Sequence, residues 1–166
     1  TCSRRSLLAK PNIQAFRTAR KRSYPGCSVT PKAVVVDTDV VSFIFKGDSR
    51  GDSYRPYLED RRLLVSFQTV AELWLWAEIQ DWGERRRGQL AKYLDSFTCV
   101  HSNLALCQQW SEAMGEARRL GKPILSADAW NAAIALALKI PLVTHNRADY
   151  QGVQGLMLLS NSGIDL

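Results

Sequence analysis

Four acidic side chains lie where the predicted strands end and the predicted helices begin. In parallel α/β sheets the reactive crevice lies beyond the carboxyl ends of the strands, so acids on that rim can meet although they are distant in sequence. Intervals of 35, 56 and 21 residues separate these four, and only tertiary folding could bring them together. The four residues are Asp37, Glu72, Asp128 and Asp149.

Two of these acids lie on predicted helices that are otherwise apolar. Glu72 is followed by Leu-Trp-Leu-Trp-Ala, and Asp128 is the only acid in an Ala-rich segment. An ionised carboxylate among apolar neighbours carries a large desolvation cost unless it has a partner. Several carboxylates at one rim would also raise one another's pKa values unless a divalent cation neutralised them. Such oxygen donors suit Mg²⁺ or Mn²⁺ rather than zinc.

Three of the acids also have a purely structural interpretation. Thr69 and Glu72 have the spacing of a capping box, in which the glutamate bonds back to the threonine amide. Asp128, two residues after a candidate cap at Ser126, would complement a helix dipole. Asp149 lies in a polar turn, where aspartate is common. Taken singly, the residues leave both interpretations open.

The chain from residue 33 alternates short β-branched-rich runs with helical patterns. This order predicts right-handed crossovers and a parallel sheet with helices on both faces. Residues 47–53, rich in Gly, Ser and Asp, are predicted to form a loop. The predicted strands are 33–36, 63–66, 97–100, 141–144 and 156–159, and the predicted helices are about 40–46, 70–80, 83–94, 103–120 and 126–138.

A basic N-terminal segment carries most of the charge. The 166 residues have a formal net charge of +6, but seven of the 22 basic residues and none of the 16 acids lie in residues 1–30. The remainder carries about −1, so net charge gives the folded part little support for nucleic-acid binding. We predict a disordered extension at 1–32 and one domain at 33–166. No apolar run approaches the roughly 20 residues of a membrane span, which favours a cytoplasmic protein.

Four segments together resemble, in order, the motifs of the PIN-domain family. More narrowly, they resemble VapC-type toxins of bacterial toxin–antitoxin pairs, and the resemblance covers about residues 33–160. It implies an α/β fold, a PIN-like three-layer α/β/α sandwich with a central, mostly parallel sheet. The segments are VVVDTDVVS at 34–42, TVAEL at 69–73, ADAWNAAIAL at 127–136 and LVTHNRADY at 142–150.

The resemblance assigns the four acids to a metal centre. It places Thr144 and Asn146 beside them, whereas Asp39 stands where the family more often has Asn or Ser and would add a fifth carboxylate or substitute a hydrogen bond. The implied activity is Mg²⁺-dependent, or Mn²⁺-dependent, hydrolysis of RNA that leaves a 5′-phosphate and a 3′-hydroxyl. The implied partners are the RNA substrate, a small cognate antitoxin and a second copy of the chain.

Two further features have alternative interpretations. Arg85, Arg86 and Arg87 could bind an RNA backbone, although a run of arginines on a helix is more often a solvated face. His145 lies beside the predicted site, where it would be either a base or, as is commoner for a lone histidine, a surface or structural residue.

Two rival functions remain open on sequence alone. VVVDTDV also resembles the opening of haloacid-dehalogenase-type phosphatases, with Asp37 as nucleophile, Asp39 as acid/base and Ser66 as a second motif. That family's lysine and late acidic pair have no counterpart here. The other rival is a catalytically silent PIN-like binding module.

Overall fold

A computed structural model of the chain describes residues 32–161 and 163–165. Apart from Lys32, the predicted disordered extension lies outside the described residues. Its separation from a domain at 33–166 therefore stays a prediction. Within the described residues, no helix is long and apolar enough to cross a membrane.

The centre of the fold is a sheet of six strands in the order β3-β2-β1-β4-β5-β6. The first five strands in that order run parallel, and β6 pairs antiparallel with β5. The predicted mostly parallel sheet is thus confirmed. The strands are β1 Ala33–Val36, β2 Arg62–Ser66, β3 Thr98–Val100, β4 Leu142–Val143, β5 Leu158–Ser160 and β6 Gly163–Asp165.

In the described part of the chain, seven α-helices cover the two faces of this sheet. Val35 faces a core formed with α6 and α7, whereas Val34 and Val36 face a core formed with α1, α4 and α5. Because successive side chains of a strand point to opposite faces, β1 is buried on both sides, which gives a three-layer sandwich. The helices are α1 Thr38–Lys46, α2 Ser49–Asp52, α3 Arg55–Leu58, α4 Phe67–Ile79, α5 Glu84–Leu94, α6 Leu104–Arg119 and α7 Ser126–Leu138.

The predicted loop at 47–53 is wrong, because α2 lies within it. Gly47 adopts a left-handed conformation (φ 68°) that ends α1, and the Asp48 side chain accepts a hydrogen bond from the Arg50 amide to begin α2. Gly51 packs against Ile44, whose backbone lies 3.2 Å from the position of a Cβ at residue 51. The polar residues that suggest a loop are therefore helix caps and a close helix contact.

Helix α4 begins three residues earlier than predicted. Its N-cap is Ser66, whose hydroxyl accepts a hydrogen bond from the Thr69 amide at 3.0 Å. Thr69 thus lies inside the first turn, and the capping-box interpretation of Thr69 and Glu72 is wrong. Because capping does not engage the Glu72 carboxylate, it is available for contacts outside α4.

The strand order reverses direction between β1 and β4. β1 pairs with β2 on one side and with β4 on the other, so the connections leave the sheet in opposite senses at this point. Parallel α/β sheets bind ligands beyond the carboxyl ends of such strands. Asp37 follows β1 directly and Thr144 follows β4 directly, so the chain's polar residues converge at this edge.

Candidate metal centre

Asp37 is a buried carboxylate that accepts hydrogen bonds from four groups. It is 5% exposed and caps α1 by accepting from the Thr38 amide at 2.8 Å. The same oxygen, Oδ1, accepts from Asn131 Nδ2 at 2.9 Å. The other oxygen accepts from the hydroxyls of Thr144 and Tyr150, both at 2.8 Å. These donors come from α1, α7, the end of β4 and a 3₁₀ helix at Arg147–Tyr150, so Asp37 joins four parts of the fold.

Asn131 and Tyr150 were not among the residues predicted for this site. Asn131 lies three residues after Asp128, so both project from the same side of α7. A lone amide one turn after a candidate ligand on an Ala-rich helix is a signal that could have indicated Asn131. Tyr150 carries no comparable signal, because a tyrosine beside an aspartate in a turn is ordinary.

Burial dominates the electrostatics of Asp37. Desolvation raises the pKa of its carboxyl, and the charge of Glu72 raises it further, whereas hydrogen bonds from Tyr150, Thr144 and Thr38 lower it; the net shift is upward. Burial and the charges of Asp37 and Asp128 raise the pKa of Tyr150 well above its usual value. The tyrosine therefore stays protonated and acts as a donor.

Glu72 is connected to Asp37 through buried polar side chains. The Thr38 hydroxyl donates to Glu72 Oε2 at 2.7 Å and lies 3.1 Å from the Thr69 hydroxyl. Thr69 in turn donates to Asn131 Oδ1 at 3.2 Å, and Asn131 donates to Asp37. This network fixes α4 and α7 relative to the start of α1.

Asp128 lies in the first turn of α7, close to the other acids. Burial raises its pKa to about 7, with further contributions from the charges of Asp37, Asp149 and Glu72. A favourable helix dipole alone would lower this pKa. Dipole complementarity therefore does not account for Asp128, and the neighbouring carboxylates and burial dominate.

Asp149 is exposed on the 3₁₀ helix and is held by Asn146. The Asn146 side-chain amide donates to Asp149 Oδ2 at 2.6 Å, and its backbone amide donates to the Thr144 hydroxyl at 3.1 Å. Thr144 and Asn146 thus each contact one of these acids, and the supporting role that the resemblance implies for them stays a prediction. One contacts Asp37 and the other contacts Asp149.

Asp39 is a fifth carboxylate at this rim. It accepts hydrogen bonds from the backbone amides of Val40 and His145, the latter at 3.1 Å. Burial raises its pKa to about 7, with a further contribution from the charge of Asp37. Asp39 therefore places a carboxylate at this rim and accepts hydrogen bonds there, and its part in metal binding stays a prediction.

Arg86, Arg87 and His145 have structural partners. Arg87 pairs with Glu78 and donates to the Trp82 carbonyl, and the Arg86 guanidinium lies 3.9 Å from the centre of the Trp82 ring. His145 Nδ1 lies 2.7 Å from the Tyr54 hydroxyl, so this ring nitrogen is not available to act as a base.

The donor chemistry of this rim fits a divalent cation. All five carboxylates are hard oxygen donors, and no basic side chain is among the groups that most affect the pKa of Asp37 or Asp128. In the described part of the chain, no three His, Cys, Asp or Glu side chains are already close enough to coordinate one ion. A cation would therefore have to draw the acids together, and this would offset their repulsion.

Fold and site together define an α/β protein with an acidic, oxygen-donor centre at its topological switch point. Residues 34–152 match the PIN domain family, and the chain belongs to that family. Ribonuclease VapC1 of Haemophilus influenzae strain R2866 is 26% identical over 128 residues, which cover 74% of this chain and 92% of the relative.

Solved structures of toxin–antitoxin complexes have a similar fold. A Rickettsia felis VapBC2 structure bound to a promoter DNA fragment has a TM-score of 0.68 at 20% identity and covers 77% of this chain and 98% of its own. VapBC-1 from nontypeable Haemophilus influenzae has a TM-score of 0.67 at 24% identity, with 78% and 98% covered. The predicted fold and family are confirmed.

In the phosphatase interpretation Ser66 has a catalytic role, whereas here it is a fully buried helix cap.

Proposed function

We propose that this chain is a divalent-metal-dependent ribonuclease of the VapC type, the toxin of a toxin–antitoxin pair. The main supporting observation is the convergence of carboxylates from separate elements at the switch point, where burial and mutual charge raise the pKa values of Asp37, Asp39 and Asp128. Membership of the PIN family and the similarity to proteins named Ribonuclease VapC1 support RNA as the substrate.

In this proposal Asp37, Glu72, Asp128 and Asp149 hold Mg²⁺, and Mn²⁺ can replace it because carboxylate sites accept both ions. When bound, the cation supplies an activated water and offsets charge that develops on the phosphoryl oxygens. The chain's own contribution is to hold and orient the ligands. Four donors hold Asp37, and the Asn146 side-chain amide holds Asp149.

The proposed partners are RNA, a small antitoxin and a second copy of the chain, and the proposed location is the cytoplasm. The similarity to VapBC complexes, which pair a toxin with an antitoxin, supports the antitoxin. Leu75 and Ile79 lie one turn apart on α4 and are 57% and 69% exposed, which gives the domain an apolar surface that a protein partner could cover. Light scattering of the purified chain, alone and with its antitoxin, tests both contacts.

The direct test is RNA cleavage by the full chain, free of antitoxin. Structured RNAs are incubated with Mg²⁺, Mn²⁺ or EDTA, with the unmodified protein, with Asp128→Asn and with Asp95→Asn. Asp95 is an exposed acid at the C-terminal end of α5 and serves as the matched control. We expect discrete fragments with metal from the unmodified protein and from Asp95→Asn, and none from Asp128→Asn.

The alternatives give different results. Intact RNA in every lane, from a folded protein, would contradict the nuclease proposal. Hydrolysis of a phosphomonoester that Asp39→Asn abolishes would then identify a phosphatase. Metal binding or RNA binding without hydrolysis of either substrate would identify a silent binding module.

A further inference from the structure

The loop after β4 is held in place by contacts of His145, one of which is with Asp39 of the acidic centre. The His145 backbone amide donates to Asp39, and its Nδ1 lies 2.7 Å from the Tyr54 hydroxyl. The edge of its ring meets the ring of Phe43, with 5.2 Å between the ring centres. We call Asp39, Phe43, Tyr54 and His145 the His145 clamp. Its first three members all come from the chain between β1 and β2.

Tyr54 is the deeply buried member of this clamp. It is 0% exposed and lies between the short helices α2 and α3. Burial, with a smaller contribution from the charge of Asp39, raises the pKa of Tyr54 to about 12. The hydroxyl therefore stays protonated and can donate to His145 Nδ1. The Asn161 backbone amide also donates to the Tyr54 oxygen, which leaves the hydroxyl proton for His145 Nδ1. A buried O–H without an acceptor is costly, so the position of Tyr54 favours one arrangement of the histidine.

The clamp acts on the residues that flank His145. Thr144 donates to Asp37, and Asn146 donates to Asp149, whereas the intervening side chain is bound to Tyr54 on α2–α3. When the ring and the backbone amide of His145 are both fixed, the backbone that carries its two neighbours is fixed as well. The direction of both hydrogen bonds to the acids therefore depends on the clamp.

We propose that Tyr54 is a positioning residue of the metal centre, which orients Thr144, Asn146 and Asp149 through its hydrogen bond to His145. This inference rests on the proposed function, because it assigns Tyr54 a role in metal binding by the acids. Loss of groups that orient metal ligands typically costs about 10–100-fold in affinity. Tyr54 does not contact a proposed ligand itself and acts through His145, so we expect a smaller loss of metal affinity, about 3–10-fold.

The test measures Mn²⁺ binding to the full chain by titration calorimetry. Tyr54→Phe removes one hydroxyl and keeps the buried ring. Tyr57→Phe is the matched control, because this tyrosine lies on the same segment but donates to the Ser160 carbonyl at 3.1 Å. We expect Tyr54→Phe to lose about 3–10-fold in Mn²⁺ affinity and Tyr57→Phe to bind like the unmodified protein.

Variants of His145 test the same bond from its other end. This residue is exposed, so its variants are expected to fold even if Tyr54→Phe does not. His145→Ala should lose at least as much affinity as Tyr54→Phe, because it also removes the ring contact with Phe43, and the double variant should lose no more than His145→Ala alone. His145→Asn places an amide atom near the position of Nδ1 and should recover most of the affinity.

Several outcomes would overturn the role of Tyr54. Unchanged Mn²⁺ affinity in both Tyr54→Phe and His145→Ala would do so, as would equal losses in Tyr54→Phe and Tyr57→Phe. Failure of His145→Asn to improve on His145→Ala would also argue against the bond. If Asp128→Asn abolishes binding while Tyr54→Phe does not change it, only this inference fails. If the unmodified protein binds no Mn²⁺, the proposed function fails with it.

Discussion

Asp37 combines three tasks in one side chain. It caps a helix, accepts hydrogen bonds from three side chains and is a proposed metal ligand. Each of its oxygens already has two donors, so a cation that binds this carboxylate must share or displace one of them. The surrounding hydrogen bonds also oppose the effect of burial on its pKa, because they favour the charged form.

Removing the Tyr150 hydroxyl should make Asp37 harder to ionise. Tyr150→Phe deletes the hydrogen bond that most lowers the pKa of Asp37, so that pKa rises further. Because the proposed site needs Asp37 in its ionised form, RNA cleavage should then begin at a higher pH. The acid limb of the pH–rate profile of RNA cleavage should therefore shift to higher pH. Tyr93→Phe is the control, since Tyr93 donates to the Val41 carbonyl. An unmoved acid limb in a folded Tyr150→Phe protein would contradict this role.

Asp128 should destabilise the metal-free protein at alkaline pH. Its pKa rises from 3.8 to about 7 on folding, so the folded state holds this proton more tightly than the unfolded state. The stability cost is absent below about pH 4 and fully present above pH 7. Asp128→Asn should therefore stabilise the EDTA-treated protein at pH 8 by about 1–2 kcal/mol, allowing for solvent screening, and change it little at pH 4. Chemical denaturation at both pH values measures this, and a less stable Asn variant at pH 8 would refute it.

At the scale of elements, the N-terminal ends of three helices position the acidic side chains of the site. Asp37 begins α1, Asp128 lies in the first turn of α7, and Ser66 begins α4, which carries Glu72. Each of these starts lies near the carboxyl edge of the sheet. An error of a few residues in the predicted start of a helix therefore changes which side chains are assigned to capping. The start of α4 is an example, because its observed position leaves the Glu72 carboxylate outside the cap.

Loss of the Ser66 cap should weaken α4. Its hydroxyl accepts from the Thr69 amide and lies 3.1 Å from the Thr69 hydroxyl, in a fully buried position. Ser66→Ala should lower the free energy of unfolding by about 1–2 kcal/mol. Ser96→Ala, which removes an exposed hydroxyl, should change it by less than about 0.5 kcal/mol. Urea denaturation of the two variants compares them, and equal losses would argue against a specific cap.

The parts predicted well from the sequence are those set by local pattern. The β-branched run at 33–36 predicts a buried strand, and the Ala-rich run at 126–138 predicts α7 with its observed bounds. Asn131 and Tyr150 were missed because their partner, Asp37, lies 94 and 113 residues away. The position of Asn131 one turn after Asp128 marks it as a candidate, but nothing in the spacing of single residues specifies its pairing with Asp37. The antiparallel strand β6 was missed because three residues carry too little alternation to indicate a strand.

At the scale of the whole molecule, the sheet separates two apolar cores, and the acids collect at one edge between them. The fold thus holds like charges near one another, and other interactions must outweigh that repulsion. A bound cation would relieve it and would bind only the folded chain. Metal binding should therefore appear as added stability.

Divalent metal should raise the unfolding temperature in a pH-dependent way. With free Mn²⁺ at about 100 times the dissociation constant, the folded state gains about 2.7 kcal/mol. The gain should be larger at pH 8 than at pH 5, because Asp39 and Asp128, each with a pKa of about 7, are largely protonated at pH 5 and compete with the metal. Thermal scans with Mn²⁺ and with EDTA measure the difference. An equal rise at both pH values, or the same rise in Asp128→Asn, would contradict a carboxylate site.

The three tasks of Asp37 affect how an inert form of the protein should be made. Replacing Asp37 removes a charge from a side chain that also ties α1, α7 and the loop after β4 together. Among the residues that the structure describes, Asp128 has no comparable set of donors, although its charge interacts with the same acids. A stable, cleavage-deficient protein for trapping its RNA targets in cells, and for identifying them by sequencing, is therefore better obtained by changing Asp128 to asparagine.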